Sequence, residues 1–171
     1  GLKTTYRCPR AVVQEAKIYV LDFEAGPQNP EGRVSSLSEL KLVETARPGD
    51  AVLSRKNAPL AGLCLRSLRA GIPARIEGRD VAAGLRALVK KLSTGRSGRS
   101  MLEFLARLTR WEESETARAA KAPRAIAEAK AEKIRAQADT LRQLAEGAAG
   151  VAELSGRLEE VFSEVARGHC I

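Results

Sequence analysis

Histidine occurs once, at His169, and cysteine three times, at Cys8, Cys64 and Cys170, an odd number spread across the chain. A disulfide framework is therefore not expected, and no His/Cys spacing suits zinc or another structural metal. His169 and Cys170 could pair as base and nucleophile, but adjacent residues are rarely preorganised for catalysis. Uninterrupted apolar runs are also missing. Nothing approaches the roughly 18 residues of a membrane span, and the opening GLKTTYRCPR is neither a signal peptide nor a presequence. These absences lead to the expectation of a cytoplasmic chain with no membrane partner. A start at Gly1 and an end in GHCI suggest an excised piece of a longer chain.

What is present in excess is positive charge, and it is uneven. Residues 1–100 carry 18 Lys or Arg against 9 Asp or Glu, whereas residues 101–171 carry 11 against 12. The first part is basic by nine charges and the second acidic by one, which points to a polyanion on the first part.

The stretch from Gly49 to Gly78 organises the reading. Ala51, Val52 and Leu53 resemble a short buried strand. Asn57 stands where an N-cap belongs, Pro59 suits a first helical turn, and Gly71 suits a helix end. Leu60, Leu63, Cys64 and Leu68 share one helical face. Ile72, Ala74 and Ile76 then alternate as in a strand. This predicts a strand–helix–strand crossover with Ser54, Arg55, Lys56 and Asn57 at the strand's carboxyl end, where an anion is commonly held. Arg55 and Lys56 are equally readable as solvated loop charges.

Around this anchor, Pro9 starts a helix with Val12, Val13, Ala16, Tyr19, Val20 and Phe23 on its apolar face. Tyr6 and Arg7 stand just before it, placed either to stack on a base and reach a phosphate or, for Tyr6, to staple the core. Val34 to Leu37 suggests a weak strand, Glu39 to Ala46 a short helix, and Asp80 to Leu92 another. Met101, Leu102, Phe104, Leu105, Leu108 and Trp111 begin a helical region interrupted near Pro123. Ile134, Ala138, Leu141 and Leu144 answer Val151, Leu154, Leu158, Val161 and Val165 across a GAAG turn, predicting a helical hairpin packed within a small bundle. The expected domains are an α/β part over 1–95, a linker over 96–100 (within STGRSGRS) and an all-α part over 101–171.

Three ordered segments, TYRCPRAVV, GDAVLSRKNAPL and LRAGIPARIEGRDV, resemble the second motor domain of UvrD/Rep-type superfamily-one DNA helicases, especially the shorter bacteriophage-like members. The resemblance covers about half the chain. Thr5-Tyr6-Arg7-Cys8 stands where that family has Asn-Tyr-Arg-Ser, and Ala51 through Ala58 and Ala70 through Gly78 match two further motifs. It implies a partial RecA-like parallel sheet followed by an α-helical insertion. It also implies Tyr6 stacking on the adenine of ATP, Arg7 reaching the γ-phosphate as a catalytic group, and Arg55 and Asn57, with Lys56 beside them, contacting single-stranded DNA. No Gly-x-x-x-x-Gly-Lys-Ser/Thr segment or Mg²⁺-holding acidic pair is present. The chain alone is therefore expected to be inactive, with ATP and Mg²⁺ bound mainly by a missing first motor domain in the remainder of its own chain. Oligomerisation is not expected. The alternative is a non-enzymatic nucleic-acid-binding adaptor whose helical hairpin docks another protein; an upstream Walker segment would exclude it.

Overall fold

Alanine, leucine and long charged side chains dominate residues 101–146, and such residues lose little freedom in a helix. The computed structural model, which describes residues 3–47, 49–95, 100–163 and 169–170, is accordingly 59% helix and 5% strand among those residues. It divides into two units, Gly1–Ser38 and Glu39–Ile171.

In the first unit, β1 (Thr4–Thr5) pairs in parallel with β2 (Glu24–Ala25) through a crossover containing α1 (Arg10–Ala16). The helix stops well before Phe23. Ile18, Tyr19, Val20 and Leu21 follow as turn and irregular backbone, with Tyr19 87% and Leu21 88% exposed. Branched and aromatic residues in succession lose χ1 freedom in a helix, so the expected apolar face ends at Ala16. Val34 to Leu37 forms no strand.

The second unit contains α2 (Glu39–Thr45), α3 (Asn57–Arg69), β3 (Ala74–Arg75), α4 (Arg79–Leu92), α5 (Met101–Ala119), α6 (Arg124–Ala145), α7 (Val151–Val161) and β4 (His169–Cys170). Its core joins Leu60, Cys64, Leu85, Phe104, Leu108, Leu141, Leu144, Leu154 and Leu158, all buried. The most extensive packing is of α6 against α3 and α5. Between α5 and α6 the chain reverses at Pro123, which precedes the first turn of α6 because it cannot continue a helix. Two expected core positions face out instead, Leu40 at 71% and Leu102 at 81% exposed.

Gly71 ends α3 as its sequence position suggests. With φ at +76° it allows the Ile72 amide to bond Ser67 O at 2.9 Å and its own amide to bond Leu68 O at 3.0 Å, a Schellman closure. Asn57 is the first helical residue rather than the cap; Lys56 takes the cap position, with no side-chain bond to the helix amides.

The expected α/β fold with a partial RecA-like parallel sheet is not what forms. The strand ladders among the described residues are two residues long and parallel, β1 with β2 and β3 with β4. Ala51 makes an isolated bridge, and Leu53, expected inside a strand, is 93% exposed. The alternation of Ile72, Ala74 and Ile76 does predict burial, for Ala74 and Ile76 are 0% and 5% exposed. Their cover, however, is helical: β3 packs on α3 and α7, and the Ile76 amide bonds Val161 O at 2.8 Å. A period-two pattern reports which side chains are buried, not whether neighbouring strands exist to extend a sheet.

The 96–99 part of the expected linker, Pro48, Val165 and the side chains of His169 and Cys170 lie outside the described residues.

Candidate nucleotide and nucleic-acid contacts

In the first unit the loop bearing Tyr6 and Arg7 is fastened by Asn29. Asn29 is 6% exposed, and its Nδ2 donates to Thr5 O and Cys8 O, both at 2.7 Å. Thr5 O also accepts the Gly26 amide at 2.8 Å, and Thr5 Oγ1 accepts the amides of Arg7 and Cys8 at 3.3 and 3.4 Å. With its backbone tied at both ends, the loop turns Tyr6 and Arg7 outward, and Tyr6 is 77% exposed. Tyr6 is thus neither a core residue nor a staple.

The Tyr6 ring lies over Gly26. A Cβ at that glycine would stand 2.5 Å from Cδ1 and 2.8 Å from Cε1 of the ring, so only glycine permits this seat. Arg10 Nη2 donates to Pro27 O at 2.6 Å, holding the GPQNPEG loop against the start of α1. Neither Asn29 nor Gly26 stood out in the sequence beyond membership of a loop. The one available signal was an asparagine followed by proline, a pair typical of turn initiation.

The second group belongs to the other unit. Arg55, Lys56 and Asn57 lead into α3, and the first two border a cleft of about 780 Å³ whose opposite wall is α6 and the end of α5; Asn57 is not part of its lining. Lys56 is exposed and Asn57 half-buried; the Lys56 amide bonds Ser54 Oγ at 3.2 Å. Four cations, Arg55, Lys56, Lys133 and Arg135, and three carboxylates, Glu128, Glu132 and Asp139, line the cleft. Glu128 is answered by Arg124 at 2.9 Å and Asp139 by Arg142 at 3.2 Å, both along α6. Glu132 is answered across the cleft, by Arg55 Nη2 at 3.3 Å. No feature of the sequence pointed to α6 as the source of nine of the thirteen lining residues.

Several arginines serve the fold instead. Arg86 forks onto both oxygens of Glu159 at 2.7 and 2.8 Å, Arg142 meets Glu112 at 2.5 Å, and Arg66 meets Glu39. Arg107 donates to Leu92 O and Thr94 O at 3.1 and 2.7 Å, closing the end of α4. These guanidiniums tie helices together and are spent on the fold.

Among the described residues no group of three or more His, Cys, Asp or Glu could hold a metal ion, and no helix is long and apolar enough to cross a membrane. Comparison of the chain with family models, curated proteins and solved structures returns no match.

Proposed function

We propose that this chain contributes nucleotide-sensing and single-stranded DNA contacts to an ATP-dependent DNA translocase of the UvrD/Rep type. The observation that carries the reading is the Tyr6–Arg7 loop. An aromatic ring and a guanidinium adjacent in sequence are both presented to solvent on a backbone fixed by a buried asparagine. An exposed ring can stack on a purine, and a neighbouring guanidinium can stabilise charge developing on a transferring phosphoryl group. Arg55, Lys56 and Asn57 supply contacts to the strand's backbone, the two cations by neutralising phosphates and the asparagine by hydrogen bonding.

The Walker-type phosphate cradle and the Mg²⁺ ligands come from elsewhere in the assembled motor, and a cytoplasmic setting is part of the same proposal. The seam of the helical hairpin is internal, with Ala138, Leu141, Leu144, Leu154 and Val161 all 0% exposed, so a partner in the adaptor reading would have to dock on the outer faces of α6 and α7.

The test is DNA-stimulated ATP turnover in the full-length encoded protein. Arg7→Ala should abolish turnover and leave single-strand affinity within about twofold, whereas Arg55→Ala should weaken single-strand binding and lower its salt dependence. Normal DNA-stimulated turnover by Arg7→Ala would sink the proposal.

A further inference from the structure

We infer that Glu132 on α6 is a competitor for the nucleic-acid phosphate at Arg55, so that the cleft holds its principal strand-binding guanidinium in reserve until a phosphate displaces the carboxylate. The inference rests on the reading of Arg55 as a strand contact and adds a residue that opposes it.

The three carboxylates of the cleft differ in their partners. Glu128 and Asp139 are neutralised by arginines of their own helix, one turn or less away, and are independent of the loop before α3. Glu132 reaches out of its helix to Arg55, 77 residues earlier in the chain. Both ends of that pair are wet, with the side chains of Arg55 and Glu132 85% and 57% exposed. A pair of this kind gains little in water and is screened by salt, so a phosphate arriving with its own negative charge can take the guanidinium at small cost.

Glu132 also has somewhere to turn once released. Arg135 lies three residues on, on the same side of α6 and in the same cleft, and makes no ion pair among the described residues. Lys56 and Lys133 likewise line the cleft without an ion-pair partner there. The strand therefore meets three cations without a competitor, while at Arg55 a phosphate competes with Glu132 for the Nη2 edge of the guanidinium. Weak binding in salt and a modest gain on removing one carboxylate are what such an arrangement produces.

The experiment measures binding of fluorescein-labelled 20-residue oligo-dT to the full chain by anisotropy, over a salt series, for wild type, Glu132→Gln, Arg55→Ala and the double variant. Glu132→Gln should tighten binding about two- to fivefold, the range open to an exposed ion pair, with the salt slope unchanged. Arg55→Ala should weaken binding and reduce the slope by about 0.7, one phosphate contact on a single strand. In the Arg55→Ala background Glu132→Gln should change nothing.

Weakening by Arg55→Ala with no gain, or a loss, from Glu132→Gln would overturn the competition and leave the strand-contact reading standing. An equal gain from Glu132→Gln with and without Arg55 would also overturn it, since the effect would then be general charge. No effect of Arg55→Ala would remove the strand-contact reading, and this inference with it.

Discussion

Arg157 on α7 closes the carboxyl end of α6 at Leu144. Its Nη1 donates to Leu144 O at 3.0 Å and Glu146 O at 2.6 Å, and its Nη2 to Gly147 O at 3.0 Å. A helix end leaves its last carbonyls without intrahelical partners, and here the first of them is enclosed, with Leu144 0% and Arg157 9% exposed, while Glu146 and Gly147 lie at the surface. One planar guanidinium answers three acceptors, of which the Leu144 carbonyl is the buried one. Glu153 completes the arrangement, accepting Arg157 Nη2 at 2.5 Å through one oxygen and the Ala149 amide at 2.8 Å through the other.

Arg157→Met keeps much of the aliphatic volume and deletes every one of these donors. Leaving buried carbonyls unpaired costs about 1–3 kcal/mol each when they are fully enclosed, and partial access of water reduces the sum. The expected loss is about 1–3 kcal/mol, dominated by the one enclosed carbonyl, read as a lower urea midpoint. Arg157→Lys should recover less than half of it, because an ammonium on a flexible stem cannot address three carbonyls in the guanidinium's plane. An unchanged midpoint for Arg157→Met would refute the capping role.

Two carboxylates should make the fold sensitive to acid. Glu153 is held below its ordinary range by the Ala149 amide first and Arg157 second, and Glu159 by its hydrogen bonds from Arg86. A carboxyl depressed in the folded state stabilises it at neutral pH, where it is ionised whether folded or not. That contribution is lost as pH falls through the unfolded value and then the folded one. Unfolding monitored from pH 7 down to about 3 should show stability falling on the acid side. Glu153→Gln and Glu159→Gln should each be slightly less stable at pH 7 and less sensitive to acid; a variant with an acid limb as steep as wild type would show that its carboxylate does not contribute.

Cys64 should be chemically silent in the native protein. It is 0% exposed, and burial, with a smaller contribution from the charge of Glu160, pushes its thiol up to about 12. A thiol reacts as the thiolate, so alkylation at pH 8 followed by peptide mapping should label the half-buried Cys8 before Cys64. Labelling of Cys64 should track unfolding in urea. Comparable labelling of the two in buffer would contradict the burial.

The helical part of this chain was legible because its signals are local. The period of Leu60, Leu63 and Cys64, the stripe from Leu85 to Leu92 and the seam of Leu141, Leu144, Leu154 and Leu158 all predict burial that the structure contains. Gly71 and Pro123 marked helix boundaries through backbone constraints that any context would impose. The sheet was not legible, since Val52 and Leu53 carry the composition of a strand but, among the described residues, no strand pairs with them. Strand composition is a property of the segment, whereas a sheet depends on distant neighbours. The same holds at the two candidate contacts. Tyr6, Arg7 and Arg55 could be singled out from short motifs, but Asn29 and Glu132 matter only through partners 21 or more residues away.

The seat of Tyr6 on Gly26 makes a final prediction about how that loop is held. Adding one methyl at Gly26 places it 2.5 Å from Tyr6 Cδ1 and 3.0 Å from Asn29 Oδ1, well inside van der Waals contact. The ring, being 77% exposed, can swing away, but Asn29 is buried and its amide bonds fix both ends of the loop. Gly26→Ala should therefore displace the ring and loosen the loop at a cost of about 1–2 kcal/mol. In hydrogen exchange this would appear as roughly tenfold faster exchange of the amide at position 26, which bonds Thr5 O. Tyr6→Ala removes the clash without touching Asn29, so the double variant Tyr6→Ala/Gly26→Ala should restore much of the protection. If it does not, the glycine is required for contact with Asn29 and not for seating the ring. Nuclear Overhauser contacts between the Tyr6 ring protons and the Gly26 α-protons in the wild-type chain would establish the seat directly, and their absence would remove the basis for the prediction.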